Sequence, residues 1–434
     1  MMRVVKTSAS FSNMFYIIFC GTVLCLIESC IPSIDANSSY KAPTFWSEPI
    51  ADYLISGEEN YPDGFNRSIM ALYVFDGRLW IGYGDSGVNM GTVPPIKFRK
   101  FDDPSNPEHS AALVDGVGQG APQRTPTDTG EEKIVPYRNL DGRLWQAGSD
   151  SNDPDEHWTQ AIPAPEKLIQ GNLFVLEGST KEPVWRKLRS IPGGEHVHDV
   201  AQFDGSLYAV GSGADNRAEW ESGRIYRYLW RSEDGGRSFS TFHRVMYPDL
   251  SMGDTRYRAL LSVGNTLYVF GYVNPFVEKG PMEGRHVALR GGKLTEVGGE
   301  IGKLVVWQTW SLSKNLGLAI GNIGKGVSRS FRIDKNGIRE LESWSRLRIV
   351  MVSPGEKAGL WLVLSGDGMK NESFAVHRFR ENSMEELEFV LDLGFEAASS
   401  IAYWMGDLFI GTPGGTILRA KKKRGNFNGN NILV

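Results

Sequence analysis

The chain has 434 residues, of which 41% are hydrophobic and 23% charged, with a formal net charge of −4. Its length exceeds one small domain, its apolar content supports a large core, and its near balance of charge argues against a dedicated nucleic-acid binder, which carries a basic surplus. Gly (50 residues), Tyr (15) and Trp (12) are abundant while long amphipathic helical patterns are scarce, a mixture that predicts an all-β protein of short strands and turns.

Residues 1–30 read as a targeting segment. Arg3 and Lys6 precede the apolar run Met14–Ile27, which has signal-peptide length and is short for a permanent membrane span. The run ends Leu26-Ile27-Glu28-Ser29-Cys30. This resembles a bacterial lipobox with Cys30 as the lipidation candidate, although Glu28 stands where that motif carries a small or apolar residue. Lipoprotein and simple secreted protein both remain open, and both predict export. Membrane contact is expected only through an N-terminal lipid or a signal anchor. The three cysteines, Cys20, Cys25 and Cys30, all lie in or beside the run. The remaining chain therefore offers no disulfide framework, thiolate metal site or Cys nucleophile. Residues 31–45 read as a polar linker, 46–420 as the folded domain, and 421–434 as a basic Gly/Asn-rich tail.

Within the folded part a strand–turn–strand phrase recurs. It is clearest in Ser68–Asp85, Lys133–Asp150, Glu195–Gly213, Tyr257–Tyr272 and Ser399–Thr412, each with an Asp-Gly, Gly-Asn or Gly-Asp turn and a second strand ending near Gly. Two degenerate copies are Val305–Asn322, turning at Lys314-Asn315, and Arg348–Asp367, turning around Gly355–Gly359. Asp-Gly between alternating apolar runs is a strong hairpin signal. Turn spacings of about 65 residues early and about 45 late match propeller repeats. The expectation is a single β-propeller of seven blades of antiparallel strands, each phrase being an inner hairpin. Gly91–Glu131 and Ser151–Leu168 read as insertions. Gly223–Trp230 with Ser238–Val245, and Ser373–Phe379 with Leu387–Leu391, read as outer strand pairs. Gly415–Ala420 reads as the third strand of the last blade, and a strand near Trp46–Ser56 is expected to complete it, removing an exposed edge.

In this architecture the starts of the inner strands and the loops after the second strands meet at one face, where function concentrates. His196 and His198, two apart on a strand, share a face, with Asp199 pointing the other way. Such a pair suits ligand contact, acid/base work or a polar channel mouth. The alternative is two histidines bonded to neighbouring backbones. No local third ligand supports a metal, and no cofactor is expected. Gly82–Gly91 lacks the helix and Lys of a phosphate loop. Arg256 and Arg258 suit a carboxylate or sulfate clamp, or inter-blade salt bridges. Tyr137 and Trp158 suit sugar stacking, or packing. Asp85, Asp150 and Asp215, just after second strands, suit sugar hydroxyls or calcium, or turn capping.

The phrase around His196–Gly211, the early DGRLWIGYGD, and Ser232–Phe239 (SEDGGRSF), which matches the Asp-box pattern S-x-D-x-G-x-[ST]-[WF], resemble a group of largely uncharacterised bacterial sialidase-like (BNR/Asp-box) β-propellers. The resemblance is good over roughly residues 60–245 and rests elsewhere on repeat pattern alone. It implies the propeller and leaves the activity unnamed. There is a single good Asp box, no Phe-Arg-Ile-Pro segment and no assignable Tyr-Glu pair, which argues against sialidase chemistry. Three readings follow. The first is an extracytoplasmic propeller binding a carbohydrate or other cell-surface ligand, a glycan or a surface protein, on its loop-rich face without catalysis. The second, by fold analogy to propeller polysaccharide lyases that use His, Tyr and Arg, is a polysaccharide-active enzyme, a lyase ahead of a hydrolase. The third is a structural interaction scaffold.

Overall fold

Strands place successive side chains on opposite faces, and the alternating segments of this chain do form strands. The computed structural model describes residues 44–52, 68–84, 96–105, 109–115, 129–149, 169–178, 182–246, 253–275, 282–322, 328–344, 348–354, 360–366, 373–380, 383–392 and 398–422. All belong to one compact unit, Ala42–Val434. Among the described residues the helical elements are Arg217–Glu221 and two short 3-10 turns. No described helix is long and apolar enough to cross a membrane.

Five sheets follow one another as meanders. The first runs Ile69–Phe75, Arg78–Tyr83, Arg99–Phe101, His109–Ser110. The second runs Tyr137–Leu140, Arg143–Ala147, Gln170–Gly178, Pro183–Pro192, with Ala112–Asp115 at its outer edge. The third runs His196–Phe203, Ser206–Gly213, Tyr226–Ser232, Ser240–Met246. The fourth is built on Gly253–Val263 and Thr266–Pro275, and the fifth on Val305–Ser313 and Leu316–Asn322. The eight-stranded sixth sheet has two halves, one starting at Arg348–Pro354 and the other at Ser400–Trp404. They are joined by Thr44–Asp52, which pairs antiparallel with Thr416–Lys422 and parallel with Ser383–Asp392. The strand expected near Trp46–Ser56 is present over the described residues Thr44–Asp52, and it pairs on both sides; residues 53–56 lie outside the described residues.

The core lies between sheets. Trp80, Phe98, Phe174 and Trp185 fill the space between the first and second sheets, with Phe98 stacked on Trp185 at 3.9 Å. Other apolar clusters join second to third, third to fourth, fourth to fifth, and fifth to sixth. Trp404 and Phe409 of the sixth sheet pack into the first cluster, and Trp404 Nε1 donates to Gly77 O at 2.8 Å. The last sheet therefore meets the first, and the ring closes as a β-propeller. Each buried large side chain contributes about 1.5–3 kcal/mol, so stability is distributed around the ring.

Turn chemistry explains one end of the hairpins. Asp76-Gly77, Asp141-Gly142 and Asp204-Gly205 have φ of 51 and 73°, 47 and 74°, and 47 and 74°. Both positions are left-handed, as the tight hairpin turn requires. In the Ser400–Gly411 hairpin the same turn falls at Met405-Gly406 (φ 49 and 86°), one residue before the expected Gly-Asp. The sequence resembling an Asp box is also a tight turn. Asp234 accepts from Ser238 N at 3.0 Å and from Ser238 Oγ at 2.5 Å, and Phe239 is buried between the second and third sheets. Desolvation, the largest single influence on Asp234, opposes its ionisation, but the hydrogen bonds from Ser238, Ser232 and Arg237 together prevail and hold its pKa down to about 2.

The stretch Gly91–Glu131, expected as an insertion, contains structure. Arg99–Phe101 and His109–Ser110 complete the first sheet, and Ala112–Asp115 crosses to pair parallel with Pro183–Pro192 of the second. Strands of two to four residues carry too little alternation to stand out from a loop.

Candidate functional site

The first strands of the sheets surround a central cavity of 1110 Å³. Residues from all six sheets line it, among them Met70, Arg138, His198, Arg258, Trp307 and Met351. Its walls depart from regular strand geometry at one level. β-Bulges fall between Ile69 and Ala71, Val197 and Asp199, Tyr257 and Ala259, Val306 and Gln308, and Ile349 and Met351. The extra residue is thus Met70, His198, Arg258, Trp307 or Val350. A bulge bends the strand and re-aims a side chain, and Met70, His198, Arg258 and Trp307 all line the cavity.

A glycine of the second strand faces four of these bulges: Gly82 opposite Ala71, Gly211 opposite Val197, Gly271 opposite Tyr257 and Gly321 opposite Val306. At Gly211 the reason is space, since a Cβ there would lie 1.8 Å from His196 O. The phrase "second strand ending near Gly" therefore carried a signal for the bulges.

The bulge changes the expected geometry of His196, His198 and Asp199. Strict alternation would send Asp199 away from His198. Instead both reach the neighbouring Gly253–Val263 strand, His198 through Arg258 and Asp199 through Leu260 N. His198 is 5% exposed, and its Nδ1 lies 2.9 Å from Arg258 Nη1. A guanidinium only donates, so Nδ1 accepts and the ring proton sits on Nε2. That Nε2–H has no hydrogen-bond partner. Burial first, then Arg258, Arg256, His196 and Lys133, push the His198 pKa well below its usual value, so the ring is neutral. His196 is also buried; its Nδ1 lies 2.7 Å from Glu195 Oε2, and its ring is 5.7 Å from that of His198 and 6.3 Å from Trp220.

Asp199, 1% exposed, is the centre of a network that sequence reasoning missed. Arg138 grips it from the second sheet, Nε to Oδ1 at 2.8 Å and Nη2 to Oδ2 at 2.7 Å. Arg138 also donates to Thr309 O at 2.9 Å and Thr309 Oγ1 at 3.1 Å in the fifth sheet. Asp199 Oδ2 accepts from Leu260 N, and Thr309 Oγ1 donates to Leu260 O at 2.7 Å. One guanidinium thus ties the second, third and fifth sheets across the cavity. Burial alone would lower the Arg138 pKa, but Asp199 beside it raises it. Arg138 looks in sequence like any strand arginine beside an Asp-Gly turn; nothing local marks its reach.

Tyr137 lines the same cavity, but its ring is buried between the first and second sheets, where it donates its hydroxyl to Ile81 O at 3.0 Å and packs against Trp185. Burial, then Tyr83, raises its pKa well above the usual value, so it keeps its proton. The remaining sequence candidates fall elsewhere. Arg256 pairs with Tyr272 in the fourth sheet. Asp215 accepts from Tyr228 OH at 2.8 Å and pairs with Arg244, beside the short helix that Asn216 caps. Asp85, Asp150, Trp158 and Cys30 lie outside the described residues. Among the described residues no group of three or more His, Cys, Asp or Glu side chains is placed to hold a metal.

No family model matches the chain, and no curated protein matches it. Solved structures do align with it. The β-propeller domain of the Trilobed protease from Pyrococcus furiosus does so with a TM-score of 0.45 and 7% identity, over 83% of this chain and 100% of that one. Saccharomyces cerevisiae Sqt1 gives 0.41 and 11%, over 89% and 86%. A Hadza microbial sialidase gives 0.38 and 13%, over 67% and 65%. The propeller assignment rests on the ring of sheets described above.

Proposed function

We propose that this protein is a seven-bladed propeller, each half of the eight-stranded sheet being one blade, and that it binds a carbohydrate or other cell-surface ligand in the mouth of its central cavity without turning it over. The observation that carries this reading is the His198 Nε2–H, buried, unpartnered and set in the cavity wall. An unmet buried donor is costly, and a ligand oxygen would satisfy it. The cavity has the volume of a ligand pocket, and Trp307 offers it an aromatic wall. Two features favour binding over proton transfer. Arg258 occupies His198 Nδ1, leaving the ring as a donor, and the Tyr137 proton is held against Ile81 O.

The reading places the domain outside the cytoplasm, on the strength of the N-terminal segment; intact mass of the mature protein would show cleavage or a lipid on Cys30. The binding test is titration of the purified full chain with a panel of oligosaccharides, with product analysis. Binding without products, weakened about tenfold by His198→Ala, is the expected result. Product formation, or unchanged binding in that variant, would overturn it.

A further inference from the structure

We infer that the corner formed by His198 and Arg258 recognises an anionic oxygen group, a carboxylate or a sulfate, carried on the ligand. This rests on the cavity-binding reading above and adds the chemical class. The two side chains occupy the same bulge position on adjacent inner strands, and both line the cavity. Arg258 holds Nδ1 of His198, which turns the remaining donor, Nε2–H, into a fixed and unpartnered hydrogen-bond source. Cationic side chains lie close to His198. The ionisable groups that act on His198 most strongly are Arg258, Arg256, His196 and Lys133. The carboxylates nearby are engaged elsewhere: Asp199 in the Arg138 pair and Glu195 beside His196. A partly buried guanidinium beside a spare N–H favours an acceptor that bears negative charge, because such bonds are the stronger ones. Trp307, in the bulge of the next inner strand, gives the body of the ligand an aromatic face.

The test is calorimetric titration of the full chain with methyl glucuronoside, glucose 6-sulfate and methyl glucoside, and with inorganic sulfate alone, at low and raised salt. The acidic sugars should bind about tenfold or more tightly than the neutral one, with an advantage that shrinks as salt rises. Arg258→Met should weaken the acidic sugars and sulfate by at least about tenfold more than methyl glucoside, and Arg258→Lys, which keeps the charge, should restore part of that difference, a split that a merely structural role would not produce. Equal affinities for acidic and neutral sugars in the unaltered protein would overturn the inference and leave cavity binding standing. Sulfate binding that depends on Arg258, with no sugar bound, would support the anion site and remove the carbohydrate reading. Failure of every probe would overturn both.

Discussion

The two ends of the inner hairpins are built on different principles. At the turn end, Asp-Gly pairs set the chain direction by backbone conformation alone; a Cβ on Gly205 would have nothing within 4 Å, and its φ of +74° is the whole reason for glycine there. At the cavity end, Gly211 is required by the carbonyl of His196, 1.8 Å from where its Cβ would sit. The turn end is a local device and can be changed one residue at a time. The cavity end is a set of interlocked bulges, close glycines and cross-sheet hydrogen bonds, in which each change is felt by several sheets.

That contrast is broken most directly at Arg138. Arg138→Met leaves the Asp199 carboxylate buried without its guanidinium and should cost about 3–5 kcal/mol, read as a lower denaturant midpoint. Arg138→Met with Asp199→Leu should recover part of the loss, because the uncompensated charge is then gone. An equal loss in single and double variants would mean that the network is packing alone.

His286 tests the cavity end by pH. Its Nδ1 accepts from Gly271 N at 3.1 Å and its Nε2 donates to Leu304 O at 2.9 Å, so the neutral ring supports the glycine opposite the fourth-sheet bulge. Burial is the main cause that lowers its pKa to about 4 from the usual 6.5. Between those values the unfolded chain binds more protons than the folded one. The contribution is therefore complete above about pH 6.5 and lost as pH falls towards 4, by about 3 kcal/mol in all. His286→Gln should flatten the stability profile over that window, measured by chemical denaturation at each pH.

Smaller effects compare the glycines themselves. Gly211→Ala should cost about 2–3 kcal/mol through displaced backbone and should also weaken ligand binding. Gly205→Ala should cost about 1–2 kcal/mol through strain at positive φ and leave binding unchanged. A reversed order would erase the distinction between the two ends. At the foot of the scale, Met405 holds the first left-handed turn position with φ 49° while its side chain is 58% exposed. Met405→Asn should stabilise by about 0.5–1 kcal/mol, a gain of a few degrees in thermal midpoint.

The amino-acid sequence alone determined the all-β character, the hairpins and most of their turns, because strand alternation and Asp-Gly turn chemistry act between neighbours. It also brought His198 and Arg258 to attention, since both stand near the starts of inner strands. The tertiary structure alone decided what those residues do. His198 and Asp199 reach the same neighbouring strand because a bulge interrupts alternation, and the bulge needs the room left by Gly211 on the paired strand. Arg138 joins Asp199 and Thr309 across separations of 61 and 171 residues, and Thr44–Asp52 fastens the two halves of the last sheet. Such pairings depend on which distant segments the closed ring brings face to face, and no short window of residues contains that information.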